Sequence, residues 1–199
     1  MMKRVSFIGL ITAVIFSVAV PVAMAQRGEN TTFTGTVISY GSGFNTRTRT
    51  STFTLNLTGV TTSDQVQSSL STLRDGGQSA LLKELSKNDL GRFSVGARLS
   101  RQINAVLVSD VDGKRRIFAV FERWINFGEL RGGYRSVDYP FSVIELFIDP
   151  QTGKGEGTLI EAAQIRWKDD SKSGSQVEIE NFATWPAKLM GVTQRGGRL

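Results

Sequence analysis

The stretch Val106-Leu107-Val108-Ser109-Asp110-Val111-Asp112-Gly113-Lys114-Arg115-Arg116-Ile117-Phe118-Ala119-Val120-Phe121 decides the fold class. Asp-Gly between two apolar runs is a strong short-range signal for a two-residue hairpin turn, because both central residues must take positive φ. Such a turn pairs Val111 with Lys114, Asp110 with Arg115 and Val108 with Ile117, and sets Asp110 and Arg115 face to face as opposite charges. One face then carries Val106, Val108, Ile117, Ala119 and Phe121. The other carries Ile103, Ala105, Leu107, Phe118, Val120 and Trp124. Both faces are apolar, so these strands are expected to be central and covered on both sides.

Strand signals continue in both directions. Downstream, Phe141 to Ile148 turns at Asp149-Pro150-Gln151-Thr152-Gly153 and returns as Gly155 to Trp167, with Pro and Gly at their usual turn positions. A polar turn from Lys168 to Gly174 leads to a strand at Val177–Phe182, and Lys188 to Val192 forms a last short strand before a basic, Gly-rich tail expected to fray. Upstream, Phe53, Leu55 and Leu57 alternate with Thr and Asn, and Thr32 to Tyr40 is the natural partner. The connection from Gly41 to Arg49 is polar and glycine-rich.

Helix signals occur in one place. Thr62-Ser63-Asp64-Gln65 forms a capping box, and Val66, Leu70 and Leu73 follow on one stripe. Gly76-Gly77 ends that helix, and Gln78 to Lys87 supplies a second carrying Leu81, Leu82 and Leu85. The expected fold class is α+β: a curved antiparallel sheet or partly closed β-barrel with one helical hairpin packed against it.

The chain has 199 residues, 24 Lys+Arg against 18 Asp+Glu, no His and no Cys. These two absences remove the Ser-His-Asp triad, thiol nucleophiles, imidazole proton shuttles, disulfides and the usual zinc, haem and iron–sulfur ligands. No cofactor or metal is expected. Asp110-Val111-Asp112-Gly113 opens like a calcium loop but lacks the later acidic positions, and Gly153-Lys154-Gly155-Glu156-Gly157 matches no nucleotide-binding pattern. Ser-x-x-Lys is absent.

Residues 1–25 read as a secretory signal peptide. Lys3 and Arg4 precede the apolar run Val5 to Val20, Pro21 interrupts it, and Ala23-Met24-Ala25 matches the signal peptidase pattern. Residues 26–199 are then expected to form one exported domain, periplasmic or secreted, with no membrane anchor after cleavage. Asn30-Thr31-Thr32 and Asn56-Leu57-Thr58 match the glycosylation sequon, relevant only in a eukaryotic host. An outer-membrane barrel is disfavoured, because the strands lack steady lipid-facing alternation and helices interrupt them.

Two functional readings follow. The segment from Arg123 to Tyr139 mixes aromatic and basic residues around Gly132-Gly133. Trp124, Tyr134 and Tyr139 offer stacking faces, and Arg131 and Arg135 offer forks for carboxylate or phosphate, with Arg47 and Arg49 as helpers from the connection Gly41 to Arg49. An exported protein seldom meets nucleic acid as its purpose, so an anionic glycan or lipid headgroup is the expected ligand of a non-enzymatic binding protein. The second reading is a carboxylate-dependent hydrolase of envelope glycans using Glu122 and Glu145. Both lie in apolar stretches, as does Glu161, expected beside Leu159 and Ala163. A carboxyl turned toward an apolar interior keeps its proton more readily, as a general acid requires.

Overall fold

A computed structural model describes residues 30–40, 47–123, 125, 131–132, 135–170, 174–182 and 185–197. Its ten strands among the described residues are β1 (Thr31–Ser39), β2 (Arg49–Leu57), β3 (Gly91–Val95), β4 (Arg101–Gln102), β5 (Ala105–Val111), β6 (Lys114–Glu122), β7 (Phe141–Ile148), β8 (Lys154–Asp170), β9 (Gly174–Asn181) and β10 (Ala187–Gly196), with the helical run α1 (Ser63–Leu85) between β2 and β3. The strands form one antiparallel sheet in the order β4-β3-β2-β1-β10-β8-β7-β6-β5, and β9 pairs with the far half of β8.

The two outermost strands of that order are consecutive in the chain. Only Ile103 and Asn104 separate β4 from β5, and each is bonded to a different flank of the sheet. Ile103 exchanges main-chain hydrogen bonds with Leu90 and Gly91 beside β3, while Asn104 N–H donates to Val120 on β6. The sheet therefore curls into a half-barrel whose edges are stitched at this corner.

The hairpin register is the expected one: Val111 pairs with Lys114, Asp110 with Arg115 and Val108 with Ile117. The Asp110–Arg115 ion pair spans 3.8 Å. Asp112 and Gly113 take φ of 51° and 74°, as the turn requires. At the β7–β8 turn, Asp149 Oδ1 accepts from the amides of Gln151 and Thr152. These bonds hold its carboxyl below the usual range.

Two cores result. The interior of the curl holds Phe33, Leu55, Phe93, Val106, Ile117, Phe121, Ile144, Leu146 and Leu189 among others. The outer face of β6–β8 holds Val120, Phe141, Val143, Ala163 and Ile165 beneath Leu73, Leu81 and Leu85 of α1. Both apolar faces of the β5–β6 hairpin are used, as expected, but only β6 is central: β5 ends the strand order, and Ile103 joins the interior because the chain turns at the stitched corner.

Thr62 caps α1 through the anticipated box with Gln65. The run is one helical element broken at Gly77, whose φ of 70° and ψ of −169° are not helical. Ser69 Oγ nevertheless donates to Glu84 Oε1 at 3.0 Å. Fifteen residues of unbroken helix would separate the pair by about 22 Å, so the element doubles back at Gly77 and its arms lie side by side.

Hydroxyls draw the Glu84 carboxyl below its ordinary value of 4.5, Thr72 foremost and then Ser69 and Ser68, against an opposing effect of burial. A depressed folded-state value means that this tie is present above pH 4.5 and is lost as pH falls through the lower value. The Glu84→Gln variant is therefore expected to lose less stability than the native chain on acidification below that point. Identical acid slopes in urea titrations would contradict this.

Two β-bulges change strand parity. In β8, Phe141 pairs with Ala163 but Val143 pairs with Ile160, so β8 holds an extra residue there. Leu159 thus lies in the interior and Ala163 in the outer core. In β10 a shift at Gly191, with φ of 59°, lets Leu189 and Val192 both face inward. β10 is also longer than expected. Residues Thr193 to Gly196, anticipated as frayed tail, continue the ladder with β1 up to the Thr31–Gly196 pair.

Candidate functional site

Alternation of strand direction sends the β1–β2 connection, the β6–β7 connection and the β8–β9 hairpin to one end of the half-barrel. The β6–β7 connection, residues 123–140, is the basic-aromatic segment. Its two ends are pinned together by one residue. Arg123 N–H donates to Pro140 O at 2.7 Å, and its guanidinium donates to Tyr139 O at 2.9 Å and Ser136 O at 2.8 Å. An arginine fork suits this work, since it bonds several carbonyls in one plane.

Two further side chains fix the base of this excursion. Gln78, the first residue after the break in α1, donates to Asp138 O at 3.0 Å and accepts from the Ile165 amide at 3.0 Å. Tyr139 is 3% exposed; its hydroxyl donates to Glu180 Oε1 at 2.6 Å, and its ring lies 5.0 Å from that of Phe182. Glu180 is also paired with Arg166, and Lys168 with Glu178, so β8 and β9 carry a ladder of charges on this side.

An open cleft of about 460 Å³ adjoins the same base, lined by Ser86, Arg101, Gln102, Asn104, Glu122, Arg123 and Ile125. Much of its polar lining is engaged in the fold. Gln102 and Asn104 amides both donate to Asn88 O, and Asn104 Oδ1 accepts from the Glu122 amide at 3.1 Å. Ser86 Oγ donates to Lys83 O. Arg101 and Glu122 give the cleft one charge of each sign beside Arg123. Asn104, Gln102 and Arg101 escaped the sequence reading. The legible signal was an amide on each side of Ile103, interrupting an apolar stretch.

The predicted contact residues fall into three groups. Arg131 is exposed on the excursion, Arg135 opens its 3-10 turn (Arg135–Asp138), and Tyr139 closes it. The buried Tyr139 ring offers no open stacking face; it anchors the loop. Arg47 and Arg49 are exposed at the same end, with Arg49 paired opposite Ser39. Five strand steps separate β2 from β6 along the sheet order, so these arginines do not adjoin the excursion through that path. Trp124 and Tyr134 lie outside the described residues.

The paired-carboxylate arrangement is not formed. Glu122 and Glu145 share a face, but their β7 neighbours are Phe141 and Glu145 itself, four residues apart. That is about 14 Å along the strand, beyond the roughly 5–10 Å used in glycoside hydrolysis. The Glu145 carboxylate is moreover held by Arg116 at 2.6 Å, further from Glu122 along β6. Glu122 does share its face with Phe118 and Val120, as the register predicts. At the end of its strand it is exposed instead of facing the apolar interior. Glu161 sits at the β8 bulge, exposed, accepting from Ser39 Oγ at 3.2 Å, and does not share one apolar face with Leu159 and Ala163.

Among the described residues no group of three or more acidic side chains is placed to hold a metal ion, and no helix is long and apolar enough to cross a membrane. Comparison with protein families, curated proteins and solved structures returned no match.

Proposed function

We propose that the protein is an exported, non-catalytic binding protein whose β6–β7 excursion grips an anionic glycan or lipid headgroup. The observation that carries this reading is the closure of the excursion at its base by Arg123. A loop whose ends are clamped by three hydrogen bonds to one residue, and whose root is tied to α1 and β9, is a side-chain display set on a rigid scaffold. Its composition, with Arg131, Arg135 and neighbouring aromatics, suits a planar or phosphate anion. The leader-like residues 1–25 support export, and the separation of Glu122 from Glu145 disfavours the hydrolase.

Protein exported from cells with its own leader is expected to have a denatured mass beginning at Gln26 and a native mass carrying a discrete anionic adduct. The adduct mass separates a glycan from a lipid. The Arg131→Ala/Arg135→Ala variant is expected to lose the adduct while unfolding at the native urea midpoint. Full retention of the adduct by that variant, or a native protein with none, would overturn the reading.

A further inference from the structure

The outer surface of the half-barrel is divided. One half, over β6–β8, is apolar and covered by α1. The other half, formed by β3, β2, β1, β10 and the first part of β8, is rich in hydroxyls, and no helix among the described residues covers it. Cross-strand pairs share a face, and the register builds one continuous row across all five strands: Ser94 pairs with Thr54, Thr54 with Thr34, Thr34 with Thr193, and Thr193 with Lys154. Neighbouring members are about 4.8 Å apart, so the row is roughly 19 Å long. A parallel row begins at Arg92 and passes through Asn56 and Thr32 to Arg195. Thr32 Oγ1 donates to Asn56 Oδ1 at 2.8 Å within it.

We infer that this face is a second contact surface, independent of the β6–β7 excursion, and that its partner is an extended anionic polysaccharide. A regular row of hydroxyls, each able to donate and accept, repeats at close to the rise of one sugar ring in an extended chain. Charge on the face is one-sided. Arg92 is ion-paired with Asp89, which leaves Lys154, Lys188 and Arg195 against Glu156. Lys188 belongs to the same face because it pairs with Ile38 and Thr158. Its exposed large apolar side chains are Met190 and, at its upper end, Tyr40, too few to enter the acyl region of a membrane.

The test is retardation of the exported protein in gels containing polygalacturonate, with dextran as the neutral control and phosphatidylglycerol vesicles as the lipid arm. The native protein is expected to be slowed by polygalacturonate and not by dextran. The Thr34→Val/Thr54→Val/Thr193→Val variant removes three hydroxyls while keeping strand-compatible shapes, and is expected to bind about tenfold or more weakly. Lys188→Glu/Arg195→Glu alters exposed charges far from the core, and is expected to abolish retardation even if the valine variant fails to fold. Lys83→Gln/Lys114→Gln removes two exposed charges from α1 and the β5–β6 hairpin, away from this face and from the excursion, and is expected to be slowed as the native protein is. A native protein that polygalacturonate does not slow, an undiminished charge-reversed variant, a folded valine variant of native affinity, preference for the vesicles, or loss of binding in the Lys83/Lys114 variant would each overturn the inference.

Discussion

Replacing Gly157 with alanine is expected to cost roughly 3 kcal/mol or more of stability. Gly157 lies in β8, paired with Leu146 of β7 on one side and Leu189 of β10 on the other. A Cβ at this position would stand 2.0 Å from the Glu145 carbonyl oxygen and 2.9 Å from Leu146 Cδ2. The first contact is with backbone that is itself fixed in the β7–β8 ladder, so relief requires the two strands to separate. Gly155 is constrained in the same way, 2.1 Å from Phe147 O. Glu156, between them, points outward and is exposed. Its replacement by alanine is expected to stay within about 0.5 kcal/mol. Urea unfolding of the two variants measures the contrast, and a Gly157→Ala midpoint equal to that of Glu156→Ala would refute the account. The glycine pattern from Gly153 to Gly157, which matches no nucleotide-binding motif, thus has a structural reason.

Phe93→Ala is expected to cost about 3–5 kcal/mol. Phe93 is buried on β3, and its ring lies between Phe53 at 6.0 Å and Phe121 at 5.5 Å, both tilted. Phe121 belongs to β6, on the far side of the corner where Ile103 and Asn104 stitch the sheet. The aromatic series therefore bridges the two flanks that closure brings together, and truncating its middle member opens a cavity that main-chain bonds hold apart. Phe93→Leu keeps most of the volume and should retain most of the stability. A loss below about 1 kcal/mol for Phe93→Ala in denaturant titrations would show that the interior collapses onto the gap.

The candidate site was legible in composition and less so in geometry. The excursion stood out because Arg, Gly and aromatic residues cluster between two clear strands, and Arg131 is indeed exposed there. Nothing in the sequence distinguished Arg123 from its neighbours, yet it is the residue that closes the loop. Its role depends on the Pro140, Tyr139 and Ser136 carbonyls converging on one point, which only the pairing of β6 with β7 arranges. Aromatic residues beside arginines often offer stacking faces, and by sequence Tyr139 fits that pattern. Its burial follows from Glu180 and Phe182, more than forty residues away in the chain. The two carboxylates illustrate the same limit. The sequence marked Glu122 and Glu145 as carboxylates within apolar strands, but their shared face, their distance along the strand and the Arg116 partner required the register of β7 against β6.

By itself the sequence determined what is encoded within a few residues. The Asp112-Gly113 turn and its register, the Thr62–Gln65 cap, the Asp149 turn and the break at Gly77 all rest on local dihedral demands and adjacent side chains. Tertiary structure alone decided the bulges in β8 and β10, the stitching of β4 to β5, and the extension of β10 along β1. Each of these depends on a partner strand distant in sequence. A bulge adds one residue and reverses every face beyond it, so no period read along a single strand reveals it. The closure at Ile103 and Asn104 arises because a curled sheet satisfies its edge hydrogen bonds on itself, a requirement that appears only once all the strands are in place.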